Sequence, residues 1–209
     1  VFATTLLGFF DRNEVICRQA GRIDLSANDL WDLDLRIDWQ GIGQVDIRNA
    51  VPDDVPALKK FLLEGLSDHS RFLFAPYPYK GDLDSVLDCL IAESSNKTFL
   101  IYHAWHEGHI IGHFFLANMS RPVADLGIAV ADDFHGKKLG NLFMTLLVAA
   151  GHFAGKDAIE LTTNPQNHAG FHLYQKIGFV YVGDREITVA DGTRRIEHEL
   201  VYRIRQPAQ

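Results

Sequence analysis

The sequence predicts an α/β fold on a mostly antiparallel sheet, with one parallel β-loop-α-β unit late in the chain. Three observations predict it. From Val45 onward, two-residue alternation and helical spacing succeed each other in the order β, α, α, β, β, β, α, β, α, β, β. The stretch from Ala124 to Thr163 reads strand, glycine-containing loop, helix, strand, which calls for two parallel strands joined by a right-handed crossover. Finally, 209 residues, 47% hydrophobic and 22% charged, bury an ordinary core without metal or disulfide staples.

Composition narrows the function classes. No run of about 20 apolar residues is present, which argues against a membrane span and a membrane partner. Lys and Arg number 20 against 27 Asp and Glu, a net charge of −7, and no basic run exceeds two residues. A broad nucleic-acid footprint is therefore not expected, and the acidic balance leans toward a cationic partner such as an amine. Cys17 and Cys89 form neither a disulfide framework nor a zinc box, so a reducing, cytoplasmic setting is the expectation. Val1 to Phe10 is apolar but lacks a basic region and a cleavage pattern, so it reads as a packing segment.

Residues 1–44 differ from the rest. Leu6 to Phe10 is apolar, and Val15 to Cys17 and Leu33 to Ile37 read as short strands, punctuated by Ser26-Ala-Asn28 and Gly41-Ile-Gly43. The best boundary lies at Gly41 to Gln44, separating an N-terminal extension (1–44) from a main domain (45–209). A β-rich arm, a dimerisation element and part of an upstream domain all remain open for the extension.

In the main domain Val45 to Arg48 alternates as a strand. Asp53-Asp54 offers an N-cap to a helix with Val55, Leu58, Phe61 and Leu62 on one face. Pro76 and Pro78 exclude a regular helix from the aromatic stretch Arg71 to Tyr79. Leu83 to Ala92 is helical, with Leu83, Val86, Leu87, Leu90 and Ile91 apolar. Thr98 to Trp105 and Ile110 to Met119 pair about the turn His106-Glu-Gly-His109. A regular hairpin puts Tyr102 opposite His113 and His103 opposite Gly112. Only His106 and His109 then converge, and no zinc site is expected. Ala124 to Val130 is a strand, Gly140 to Ala154 a helix and Ala158 to Thr163 a strand. Asn167 to Ile177 is a helix stopped by Gly178. Phe179 to Val182, Ile187 to Val189 and Ile196 to Ile204 close the sheet, with Asp191-Gly192 turning a hairpin.

The informative stretch for chemistry runs from Asp125 to Gly140. A strand ends at Val130, and after a short turn Gly136 and Gly140 bracket Lys137 and Lys138 at a helix start. Backbone N–H groups there point outward together and the helix dipole adds partial positive charge, which suits a diphosphate. A Walker A loop and a dinucleotide fingerprint are both excluded, because neither glycine pattern occurs.

A second stretch, Thr162-Thr-Asn-Pro-Gln-Asn-His-Ala-Gly-Phe-His-Leu-Tyr-Gln-Lys-Ile-Gly-Phe179, resembles the signature of the GNAT N-acetyltransferase superfamily. Asn167, Ala169, Tyr174 and Gly178-Phe179 match that signature. The family's CoA loop reads Arg or Gln, two residues, Gly, one residue, then Gly or Ala, and falls here on His135, Gly136, Lys137, Lys138, Leu139 and Gly140. His135 stands in place of the Arg or Gln, and Lys138 in place of the first Gly. The resemblance covers about three quarters of the chain, roughly residues 46 to 204.

The resemblance implies a GNAT-like sheet flanked by helices with a splayed parallel strand pair. It implies acetyl-CoA as acyl donor, transfer to a primary amine by direct attack in a ternary complex, and a homodimer as one option. Ile128, Val130, His135, Gly136, Lys137, Lys138, Leu139, Gly140, Asn141, Asn167, Phe171 and Tyr174 would hold the coenzyme. Tyr174 would protonate the leaving thiolate, and Asp125, at the start of its strand, would serve as base. The oxyanion would meet the free N–H around Val130. His113 is a rival base, and Arg71, Phe72 and Tyr77 are candidates for acceptor specificity. A non-catalytic acyl-CoA-binding or protein-interaction module is the alternative, separated from the enzyme by turnover.

Overall fold

The computed structural model describes residues 1–205. The chain runs α1 (Phe2–Asp11), α2 (Glu14–Gln19), β1 (Ala20–Ser26), β2 (Asp34–Trp39), β3 (Gly43–Asn49), α3 (Val55–Lys60), α4 (Asp68–Leu73) and α5 (Leu83–Ser95). It continues β4 (Leu100–His106), β5 (His109–Ala117), β6 (Val123–Val130), α6 (Leu139–Phe153), β7 (Ala158–Thr163), α7 (His168–Ile177), β8 (Val180–Thr188) and β9 (Arg194–Arg203). The strands form one sheet in the order β1-β2-β3-β4-β5-β6-β7-β9-β8. All neighbours are antiparallel except β6 and β7.

Each face buries its own apolar layer. On one face α1, α6 and α7 cover the sheet: Phe2, Leu6, Phe10, Leu142, Leu146 and Leu147 meet Ile37, Ile47 and Leu116. Phe114 of β5 stacks on Phe143 of α6 with ring centroids 4.3 Å apart. On the other face α3, a π-helical turn (Phe61–Gly65) and α5 bury Leu58, Phe61, Leu62, Leu87 and Ile91 against Ile101, Phe115 and Ala129.

Residues 1–44 contribute β1 and β2 to this sheet. The expected boundary at Gly41 to Gln44 falls on the β2–β3 hairpin, where Trp39 pairs with Gly43. Val15 to Cys17, expected as a strand, is helical. Asn13 Oδ1 accepts hydrogen bonds from the N–H groups of Val15 and Ile16, and this cap overrides the β-branched residues. Asp54 occupies the N-cap position of α3, as expected, but its side chain makes no cap bond to that helix. Its carboxylate instead takes two bonds from Arg48 and one from the N–H of Val51.

The histidine register also differs from expectation. Glu107 and Gly108 both have positive φ, giving a tight two-residue turn with His106 opposite His109. A bulge follows, because Trp105 pairs with Ile110 while Ala104 pairs with Gly112. The extra residue, Ile111, shifts everything beyond it by one, so His103 faces His113 and Tyr102 faces Phe114.

The feature that positions a site is the parallel pair. β6 and β7 pair only through Val123–Ala158, Ala124–Ile159 and Asp125–Glu160. Beyond that rung β6 follows β5 as far as Val130, and β7 follows β9 as far as Thr163. The two strands therefore diverge, and their inner edges are left unpaired.

Candidate active site

The unpaired edge of β6 has a defined polarity. Ala131 N–H donates to the carbonyl of Ile111 at 2.9 Å, so the adjacent Gly112–Val130 pair is a non-hydrogen-bonded one. The N–H and C=O of Val130 therefore point away from β5, into the gap. By two-residue alternation those of Ile128 do the same. Such an edge can pair with the amides of an extended ligand.

A cavity of about 870 Å³ lies in the gap. Asp125, Ile128 and Val130 of β6 line it, with His135, Gly136, Lys138, Leu139, Gly140 and Asn141 of the following turn and helix, and Asn167 and Tyr174 of α7. Lys137 and Phe171, both expected at the coenzyme, do not line it. Lys137 is exposed. Phe171 packs edge-on against Tyr181 and His198 of the β8–β9 hairpin.

The turn before α6 keeps its shape despite its two departures from the family pattern. Lys138 adopts the left-handed conformation, φ 65°, that the family's glycine would supply. Gly136, Lys138, Leu139, Gly140 and Asn141 line the cavity at this helix start, where the Asn141 N–H bonds the carbonyl of Lys138 and the donors ahead of it precede the regular i→i−4 ladder. Gly140 permits close approach of the helices, because a Cβ there would lie 2.7 Å from Leu173 of α7. His135 Nε2 lies 2.9 Å from the carbonyl of Val130, so the imidazole closes back onto β6.

On α7, Asn167 is the N-cap. Its Oδ1 accepts from the N–H of Gly170 at 3.0 Å, and its Nδ2 donates to Thr163 Oγ1 at 3.0 Å. Burial, then the nearby charge of Glu197, push the Tyr174 phenol up to about 12, opposed by the neighbouring Thr163 hydroxyl. Tyr174 therefore holds its proton throughout the physiological range and can donate it.

Two carboxylates, Asp125 and Glu197, also line the cavity. Asp125 accepts a short hydrogen bond from Asn118 Nδ2 and pairs across the last parallel rung with Glu160. Burial, then the hydrogen bond and charge of Asp125, raise the Glu160 pKa. Glu197 of β9, only 2% exposed, lines the cavity 2.5 Å from Arg195. Sequence reading missed Thr163 and Glu197. The alternation of Arg195, Glu197 and Glu199 on one face of β9 is the signal that could have found Glu197.

The far wall comes from the aromatic stretch through Leu73, Phe74, Ala75 and Pro76. Phe115 crosses the sheet beside them, over Gly127, where any Cβ would collide with its ring. Arg71, Phe72 and Tyr77 do not line the cavity. Arg71 donates to the carbonyls of Leu63 and Leu66. Phe72 lies under Arg195, whose Nη1 bonds its carbonyl at 2.7 Å.

Tyr77 caps a buried chain. Its hydroxyl is 2.7 Å from His113 Nε2, His113 Nδ1 is 3.1 Å from His103 Nε2, and His103 Nδ1 is 3.3 Å from Asp54. Burial, partly opposed by Asp54, lowers the His103 pKa. Burial and then His103 lower that of His113 strongly. With both rings neutral one proton order satisfies every atom: Tyr77 donates to His113, His113 to His103, and His103 to the Asp54 carboxylate. His113 is thereby committed to the wall rather than to the cavity it does not line. Among the described residues no group of three or more His, Cys, Asp or Glu is arranged to hold a metal ion.

Residues 63–179 match the sequence model of the Acetyltransferase (GNAT) family. The chain belongs to the GNAT family of acetyltransferases. Its fold is similar to that of a GNAT acetyltransferase from Streptococcus pneumoniae, at 24% identity and a TM-score of 0.64, over 77% of this chain and 99% of that one. It is also similar to yncA of Salmonella typhimurium, solved with its cofactor acetyl-CoA, at 15% identity and a TM-score of 0.64, over 79% of this chain and 96% of that one. A third is RimJ of Mycobacterium smegmatis in complex with CoA-disulfide, at 16% identity and a TM-score of 0.64, over 89% of this chain and 87% of that one. At these identities the likeness is one of fold. A sequence search among curated proteins finds no match. Within this GNAT chain, the mixed sheet and its one diverging parallel pair are the family's architecture.

Proposed function

We propose that the protein transfers an acetyl group from acetyl-CoA to a primary amine by direct attack in a ternary complex. One observation carries the reading: a single cavity joins the N–H-lined turn before α6, the unpaired edge of β6, Tyr174 and the carboxylates Asp125 and Glu197. The structural relatives solved with acetyl-CoA and with CoA-disulfide support the donor.

The diphosphate would sit on the backbone donors from Gly136 to Gly140, and the pantetheine arm would run along Ile128 and Val130 like an added strand. Attack by the amine nitrogen forms the C–N bond and puts negative charge on the carbonyl oxygen, which the Val130 N–H can stabilise. The C–S bond then breaks. Tyr174 gives its proton to the thiolate, and Asp125 takes the surplus proton from the nitrogen. A free alkylamine has a pKa of about 10, so acidic groups facing the gap also suit it as an ammonium before deprotonation. Glu197 is the second carboxylate within the cavity, and its charge is already felt by Tyr174.

The experiment is release of free thiol from acetyl-CoA in the presence of a panel of amines, with products followed by mass shift. Acceptor-dependent thiol release supports the reading. Thermal stabilisation by CoA with no turnover on any amine would replace it with the binding module.

A further inference from the structure

Residues 1–44 reach the turn that receives the diphosphate. Trp39, the last residue of β2, is 1% exposed, and its indole Nε1 donates to the carbonyl of Lys137 at 2.8 Å. A second tie lies about two turns beyond Lys137, at Thr145 of α6. Asn13 Nδ2 donates to Thr145 Oγ1 at 2.9 Å, and that hydroxyl donates to the carbonyl of Asn141 at 2.7 Å. We propose that Trp39 is a positioning residue for diphosphate binding, so that the N-terminal segment completes the coenzyme site without touching the coenzyme.

The argument is stereochemical. The peptide joining Lys137 to Lys138 is planar and trans, so its carbonyl and its N–H point in opposite directions. By drawing the Lys137 carbonyl into the core, Trp39 aims the Lys138 N–H outward, on the side where Lys138 lines the cavity. The following residue needs this support. Lys138 is left-handed at φ 65°, a conformation an L side chain disfavours and glycine does not. If the turn relaxed, the buried indole would lose its acceptor, so the bond and the strained conformation stand or fall together. Asn13 acts in the same sense, because it is the N-cap of α2 and holds the first turn of α6 through Thr145.

This inference rests on the coenzyme reading given above, and its test separates the two. Trp39→Phe keeps a buried ring and removes the N–H. For this variant the Kd of CoA by titration calorimetry, and the KM of acetyl-CoA, should rise about 2- to 13-fold, the fold-change equivalent to the net worth of one hydrogen bond. Saturating turnover with acetyl-CoA should be unchanged. The kcat/KM for acetyl-pantetheine, which has no diphosphate, should also be unchanged. Equal losses on both donors would mean general loosening, and an unaltered CoA affinity would mean the bond does not position the turn; either overturns the proposal. If Trp39→Phe fails to fold, benzothienylalanine at position 39 has the same shape with sulfur in place of N–H, and the same criteria apply. Calorimetry needs no acceptor. Wild-type protein that binds CoA but acetylates no amine would strike the proposed activity and leave this measurement decisive.

Discussion

Tyr77→Phe removes a single hydroxyl whose loss can be followed through three residues. That hydroxyl donates to His113 Nε2 across 2.7 Å in a fully buried setting. His113 cannot answer by turning over its proton order, since its Nδ1–H is committed to His103 and the Nδ1–H of His103 to Asp54. The variant therefore leaves a buried ring nitrogen without a donor, which costs about 1–3 kcal/mol. In a domain of 150–250 residues each kcal/mol lowers Tm by about 2–4 °C, so the drop should lie between about 2 and 12 °C. Thermal unfolding followed by circular dichroism at pH 8 measures it. A Tm within about 1 °C of the wild type would refute the hydrogen-bonded chain. The same chain sets an acid limit. Both histidines have folded pKa values below the unfolded value of about 6.5, so the unfolded chain binds more protons once the pH falls past that point. Their contribution is complete above about pH 6.5 and is lost as the pH falls toward the folded values. His152, also lowered by burial and then by Arg12, acts in the same direction. Tm should fall between pH 7 and pH 5, and a flat or rising profile would contradict neutral rings.

Three further outcomes follow from the site. Tyr174→Phe should lower kcat by about 10- to 10³-fold with CoA affinity nearly unchanged, and full turnover in steady-state assays would remove Tyr174 from the mechanism. Glu197→Gln removes a charge that raises the phenol, so the Tyr174 pKa should drop from about 12; an NMR titration showing it unmoved would mean the carboxylate is not near. Lys138→Gly relieves the left-handed backbone and should leave stability equal or up to about 1 kcal/mol higher in urea unfolding, with the turn intact. A clear loss of stability there would mean the lysine side chain makes the turn.

From Val45 onward most elements were legible because their periodicity is strong; α4 was not, since Ser67 caps a helix that runs through Arg71 to Leu73 before Pro76 and Pro78 can interrupt it. Ala158 to Thr163 is the strand expected, and Gly178 stops α7 with φ 113°. Residues 1–44 were harder for local reasons. The α2 helix depends on a side-chain cap from Asn13, and the apolar residues of β1, Ile23 and Leu25, are only partly buried. The His103–His113 pair was invisible because one bulged residue, Ile111, resets the register, and nothing in the hairpin sequence announces a bulge. In the candidate site, the turn before α6 and Tyr174 lie in two short motifs and could be read directly. Thr163 and Glu197 reach the same cavity from strands that only the tertiary fold brings beside it, so the charge alternation of β9 marks Glu197 without linking it to the cavity. Phe171 and Lys137 illustrate the converse, since a residue inside a motif need not line the cavity.

A crystal structure of the protein with CoA tests the central claim most directly. The account predicts the pantetheine amides against the free edge at Ile128 and Val130, the diphosphate on the N–H groups between Gly136 and Gly140, and the sulfur within hydrogen-bond reach of the Tyr174 hydroxyl. Coenzyme bound elsewhere, with the gap between β6 and β7 bridged by protein, would contradict it.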